Sequence, residues 1–181
     1  KNEDWMYTNV SALANSDFAF GTTFVDDATI RKYDIAPMNP FVVFVNGRFH
    51  AEASRLEDEI DINSNHELEG SVAIRGDSSI PQFDCDSVTI TKCKSTVHVL
   101  QIVSGECETA ASGRVFVYAA KGESISVAET HVCLGEQTHL FTPLTEICAE
   151  ANSHITLVRA IRGSNTSYHL GQLHVEQHDS S

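Results

Sequence analysis

Cationic residues are scarce in this sequence: 12 Lys and Arg stand against 25 Asp and Glu, a formal net charge of −13 at pH 7. Such a surface repels phosphate backbones and anionic lipid headgroups, which disfavours nucleic-acid and membrane-surface roles. Long apolar runs are missing too. No stretch reaches the roughly 20 residues that cross a bilayer as a helix. The chain opens on the polar run Lys1-Asn2-Glu3-Asp4 rather than on a signal-peptide pattern, so a soluble chain is expected. There is no C-x-x-C pair, phosphate-cradling Gly-rich loop, nucleophile elbow, zincin motif or dinucleotide fingerprint. The chain carries no recognisable catalytic constellation. The cysteines, Cys85, Cys93, Cys107, Cys133 and Cys148, are odd in number and lack chelating spacing, which favours structural thiols in a reduced compartment. A Cys85–Cys93 bridge or metal pair is the alternative.

What remains is an ordinary globular balance over 181 residues, 41% hydrophobic and 20% charged, long enough to bury a core. Three segments differ in character. Residues 1–38 read as a helical or extended N-terminal segment, with a short helix over Asn9–Asn15. Residues 39–86 hold a hairpin and an acidic connector. Phe41–Val45 runs into Asn46-Gly47, the dipeptide best suited to a type I′ turn, and residues 51 to 71 are acidic with only weak alternation. From residue 87 to 181 short apolar strands follow one another: Ser87–Thr91, Val97–Val103, Arg114–Ala119, Ser124–Val132, His139–Cys148, His154–Ile161 and Tyr168–Gln177.

This last region matches itself at an offset of 30 residues. Ala119, Ile125, His139 and Leu140 recur as Ala149, Ile155, His169 and Leu170, and the turn Lys121–Ser124 recurs as Ala151–His154. A strand–turn–strand period of this size is the pattern of a solenoid whose coils bury their apolar faces against one another. The fold reading is all-β, a parallel β-helix, with a β-sandwich or jelly roll of similar strand spacing left open. Alternation puts Val115, Val117, Ile125, Val127, Ile155, Leu157, Leu173 and Val175 inside.

Few residues suggest chemistry. His174, Glu176 and His178 occupy alternate positions of one strand, a spacing that two imidazoles and a carboxylate could use on a metal; a solvated outer face is the plainer reading. His139 and His169, equivalent in the repeat, could stack. Asp84 and Asp86 flank Cys85 as a carboxylate pair of the kind a carbohydrate-active β-helix enzyme uses, which is the rival functional reading, though an acidic turn or solvated strand start is the plainer one. Arg75-Gly76-Asp77, Asn9-Val10-Ser11 and Asn165-Thr166-Ser167 match adhesion or glycosylation triplets too short to weigh.

Five strings in order carry a resemblance: Lys1–Thr8, the hairpin string Val43–Phe49, Arg114–Val117 leading through Lys121-Gly122-Glu123 to Ile125, Phe141–Ile147, and Tyr168–Val175. Together they resemble the successive landmarks of the SufB/SufD iron–sulfur cluster assembly family, on its SufD side. The resemblance implies a right-handed parallel β-helix behind a small N-terminal helical region. It implies a non-catalytic scaffold that works with a SufB-like subunit and a SufC-like ATPase, in bacterial cytoplasm or plastid stroma. The iron–sulfur cluster would belong to the complex, with no cofactor held by this chain alone. Family members are longer, and the ATPase-docking helices lie beyond the last landmark, so that region is expected to be missing here. None of the matched positions is one the family uses functionally. The last coil, Tyr168–Gln177, is expected to present uncovered edges and to promote self-association.

Overall fold

The computed structural model describes residue 13 and residues 16–21, 24–58, 60–63 and 84–178. In chain order the elements are β1 (Ala19–Phe20), α1 (Asp27–Arg31), β2 (Phe41–Val45), β3 (Arg48–Phe49), β4 (Ile60–Asn63), β5 (Ser87–Ile90), β6 (Val97–Ser104), β7 (Thr109–Ala119), β8 (Ser124–Leu134), β9 (His139–Ala149), β10 (His154–Arg162), β11 (Tyr168–His169) and β12 (Gln172–Gln177). They form two sheets. One runs β3-β2-β6-β8-β10; the other runs β4-β5-β7-β9-β11, with β1 also on β7 and β12 also on β9. Apart from the edge pairs β2–β3 and β4–β5, every pairing between these described strands is parallel. The chain alternates between the sheets, one strand in each per coil, and winds a parallel β-solenoid of roughly three turns.

The repeat has a direct structural meaning. Val97 pairs with Val127, Ser124 with His154, and Thr109 with His139, each a step of 30 residues between coils. The corners stack as well. Gly122 (φ 76°) and Asn152 (φ 59°) hold the left-handed position of the same turn in successive coils, a conformation glycine takes freely and asparagine tolerates. The Gly122 N–H donates to the Ala151 carbonyl at 3.2 Å, and the His154 N–H to the Glu123 carbonyl at 2.8 Å, so one turn nests on the next.

The interior follows the strand alternation. Val115, Val117, Ile125 and Val127 are buried in one cluster with Val42, Phe44, Val88, Ile90, Val97 and Val99, and the partly buried Ile155 and Leu157 pack against it. Leu173 and Val175 share this inward face, in register with Thr145 and Ile147, yet they are 52% and 50% exposed. Their coil is the last of the described residues, and no described strand covers its outer side. The outer face of the other sheet is apolar too: Phe41, Val43, Leu100 and Ile102 are roofed by Ile30 of α1, Val25 and Ala53.

The Asn46-Gly47 hairpin forms as expected, with φ of 50° and 77° and with Phe44 facing Phe49. Its first strand does more than turn back. Phe41–Val45 pairs in parallel with His98–Ile102, so the solenoid begins at the hairpin, upstream of residue 87 where the strand pattern sets in. The Asn46 side chain carries the ladder further, donating to the Ser104 carbonyl at 2.8 Å and accepting from the Ser104 N–H at 2.9 Å. Within the acidic connector Ile60–Asn63 forms β4, antiparallel to β5. Of the expected helix over Asn9–Asn15, all but residue 13 lies outside the described residues. The helix that is described, α1, is capped by Asp26, whose carboxylate accepts from the Thr29 N–H at 2.9 Å.

Candidate functional site

Strand alternation carries polar groups as well as apolar ones into the solenoid. On β8 the positions that continue Ile125 and Val127 inward are Glu129 and His131, both about 1% exposed. Glu129 is the register partner of Arg159 one coil on. Its Oε2 accepts from Arg159 Nε at 2.6 Å and its Oε1 from the Thr145 hydroxyl at 2.7 Å, while Arg159 Nη2 donates to the same hydroxyl oxygen at 2.6 Å. Three coil strands thus close a largely buried Glu–Arg–Thr triad, in which Arg159, 19% exposed, pairs the charge of the fully buried Glu129 carboxylate.

Beside it, His131 Nδ1 lies 2.8 Å from His169 Nε2, the rings are stacked at a centroid distance of 5.1 Å, and Phe141 meets both edge-on. Burial, helped by the Arg159 charge, pulls the pKa of His131 down to about 2, and burial also lowers that of His169. Both rings are neutral at pH 7, so exactly one N–H bridges them. If His131 donated, its Nε2 lone pair would face Glu129 Oε2 across 3.6 Å; with His169 as the donor an N–H points there instead. The second tautomer is favoured electrostatically. Next in register is Gln101, 1% exposed, whose side-chain amide lies over Gly113 in the space a Cβ there would occupy. Neither amide atom of Gln101, nor His131 Nε2, has a hydrogen-bond partner among the described residues.

The residues singled out from the sequence are distributed differently. Asp84 and Asp86 both grip Arg48, and Asp86 also accepts from the Phe49 N–H at 2.8 Å. The pair clamps the second strand of the hairpin. It borders a cleft of about 560 Å³ whose lining includes Phe20, Phe24, Arg48, His50 and Asp84. The expected His139–His169 stack does not form. Two residues are lost at the corner after β10, so Tyr168 pairs with Leu140 and His169 with Phe141, a step of 28 rather than 30. His139 turns instead to the Leu134 carbonyl, 2.8 Å from Nε2, and His169 takes His131. A shift of two residues preserves the inward face, which is why the strand accepts it.

The same shift reorders the outer-face candidates. His174 comes to lie beside Glu146, and Glu176 beside Cys148. His178 then sits between two carboxylates, with Nδ1 2.9 Å from Glu150 Oε1 and Nε2 2.9 Å from Glu176 Oε1, and those hydrogen bonds raise its pKa. Cys148, Glu150 and His178 each present a donor atom within 4.8 Å of the others'. So Glu176 and His178 meet as the sequence suggested, His174 stands apart, and Cys148 and Glu150 join from the preceding coil.

No family model matches the chain, and neither does any curated protein. All five cysteines are free, Cys85 and Cys148 buried and Cys107 exposed, and burial pushes the Cys85 thiol up to about 11. No bridge or shared site links Cys85 to Cys93. Asn165-Thr166-Ser167 forms the corner after β10, where the Thr166 hydroxyl hydrogen-bonds to the Glu136 and Gln137 carbonyls at 3.1 Å. Arg75-Gly76-Asp77 and Asn9-Val10-Ser11 lie outside the described residues. Among the described residues no helix is long and apolar enough to cross a membrane.

The buried triad and the histidine pair were missed in the sequence, although a signal was there. The alternation that placed Ile125 and Val127 inside, continued for two more steps along the same strand, reaches Glu129 and His131.

Proposed function

We propose that this chain is a non-catalytic scaffold subunit of the SUF type, which supports iron–sulfur cluster assembly and transfer together with a SufB-like subunit and a SufC-like ATPase. The observation that carries the reading is where the family-like strings fall. Lys1–Thr8 lies outside the described residues; Val43–Phe49 forms the hairpin of the first coil, the string from Arg114 to Ile125 runs from β7 round the Gly122 corner to β8, Phe141–Ile147 lies on β9 and Tyr168–Val175 on β11 and β12, so the described landmarks follow one another coil by coil. A ladder of stacked coils gives a rigid, extended surface suited to holding partners in fixed relation. Nucleotide hydrolysis falls to the ATPase partner, in keeping with a sequence that carries no phosphate-binding loop. A reducing compartment suits five free thiols.

Co-expression of the tagged chain with SufB-like and SufC-like proteins tests the proposal. Capture of the SufB-like subunit is the expected result, with the SufC-like ATPase as the second partner. A folded chain that captures neither protein would remove it.

A further inference from the structure

We infer that Cys148, Glu150 and His178 form a binding site for a divalent transition-metal ion of the zinc class, with Glu176 holding the histidine in place. The proposal goes beyond the scaffold reading and does not depend on it. The donor atoms of the first three residues lie within 4.8 Å of one another. A tetrahedral zinc site, with Zn–S near 2.3 Å and Zn–N near 2.0 Å, sets its ligand atoms roughly 3.5 Å apart, so only small side-chain rotations separate the two arrangements. A thiolate, an imidazole and a carboxylate are the mixture that suits zinc, cobalt or ferrous iron; magnesium and calcium prefer oxygen alone.

The backbone already positions these groups. Cys148 lies near the end of β9 with a strand on either side, register partner of Tyr118 on β7 and of Glu176 on β12. The Glu150 N–H donates to the Ala119 carbonyl at 3.0 Å, and the His178 N–H to the Ala149 carbonyl at 2.9 Å, so the residues just past each strand end are still tied to the ladder. His178 is oriented as metal-binding histidines usually are. Nδ1 faces Glu150, while Nε2 lies 2.9 Å from the Glu176 carboxylate, which can accept its N–H and so fix the tautomer that leaves Nδ1 free for a metal. Three protein ligands leave a fourth tetrahedral position open towards solvent, since the Glu150 and His178 side chains are 31% and 45% exposed. A plain surface ion pair would need His178 and one carboxylate. It would not need a second carboxylate on the other ring nitrogen or a buried thiol beside it.

The test is a cobalt(II) titration of the full, reduced chain, read by the thiolate-to-cobalt charge-transfer band in the near ultraviolet, with zinc as competitor. One equivalent is expected to saturate the band and zinc to displace it. The band should vanish in Cys148→Ser and His178→Ala and survive in Cys107→Ser and His174→Ala. Glu176→Gln should weaken cobalt binding about 10- to 100-fold, the usual effect of removing a carboxylate behind a ligating histidine. Glu150→Gln, nearly isosteric and partly exposed, should weaken it at least tenfold, with the circular dichroism of the native fold; it decides the matter should Cys148→Ser fail to fold. A missing band, a band that persists in Cys148→Ser, or a band lost in Cys107→Ser or His174→Ala would overturn the assignment.

Discussion

Glu129 and Arg159, register partners on neighbouring coils and 2.6 Å apart through Oε2 and Nε, form an ion pair inside the solenoid, the glutamate side chain fully buried and the arginine 19% exposed. Removing one member strands the other's charge in the interior. Glu129→Ala should therefore destabilise the fold by about 3–5 kcal/mol, whereas the double change Glu129→Leu with Arg159→Met should recover most of that loss. Urea denaturation of the three proteins checks it; equal losses in the single and double variants would show that the pair is not acting as a unit.

Acid should weaken the fold before its carboxylates titrate. Burial pulls His98 down to about 4 and His131 to about 2, so both stay neutral in the folded chain while the unfolded chain protonates them near pH 6.5. The unfolded state then binds more protons, and the contribution of these two histidines is full above pH 6.5 and falls as pH drops below it, while His178, its pKa raised by the hydrogen bonds to Glu176 and Glu150, contributes in the opposite sense. Each buried histidine adds a slope approaching about 1.4 kcal/mol per pH unit, that of His98 ending near pH 4. Glu146, whose pKa is raised by burial, acts in the opposite direction as it takes up a proton. Denaturation midpoints between pH 7 and 5 should decline, and His98→Gln should flatten the decline.

Two glycines with positive φ should respond unequally to alanine. At Gly122 an added Cβ meets nothing within 4 Å, so only the left-handed backbone opposes it, at about 1–2 kcal/mol. At Gly47 the Cβ would also stand 2.6 Å from the Ser112 carbonyl oxygen, a backbone atom that cannot step aside. Gly47→Ala should lower the melting temperature clearly more than Gly122→Ala, and equal shifts would refute the steric account.

Self-association should centre on the last described coil. Strands β10 and β12 have no described neighbour on their outer sides, and Val158, Ile161, Leu173 and Val175 are 61%, 55%, 52% and 50% exposed. Open strand edges with apolar side chains recruit further strands. Light scattering should give a mass above the 19.8 kDa of one chain, and Leu173→Lys with Val175→Lys should move it towards that value. A monodisperse monomer at high concentration would count against this.

Much of the fold was legible because its signals are local. The positive φ wanted at Asn46-Gly47, the left-handed corners at Gly122 and Asn152, and the in–out alternation of Val115, Val117, Ile125 and Val127 depend on neighbouring residues and on a constant coil length. Where the coil length changes, the reading fails. The corner after β10 is two residues shorter, and nothing in the run Gly163–Ser167 announces that; His139 and His169 therefore look equivalent in sequence and lie apart in space.

Strand period, turn chemistry and the 30-residue step are properties of short stretches of chain, so they could be read directly and pointed to a repeated coil; the parallel pairing of those coils, rather than a sandwich of similar spacing, appears only in the folded chain. Which side chains meet across coils was decided by tertiary structure alone. Contact between Glu129 and Arg159, or among Cys148, Glu150 and His178, depends on how successive coils slide against one another, and that register is set by packing the whole apolar interior at once.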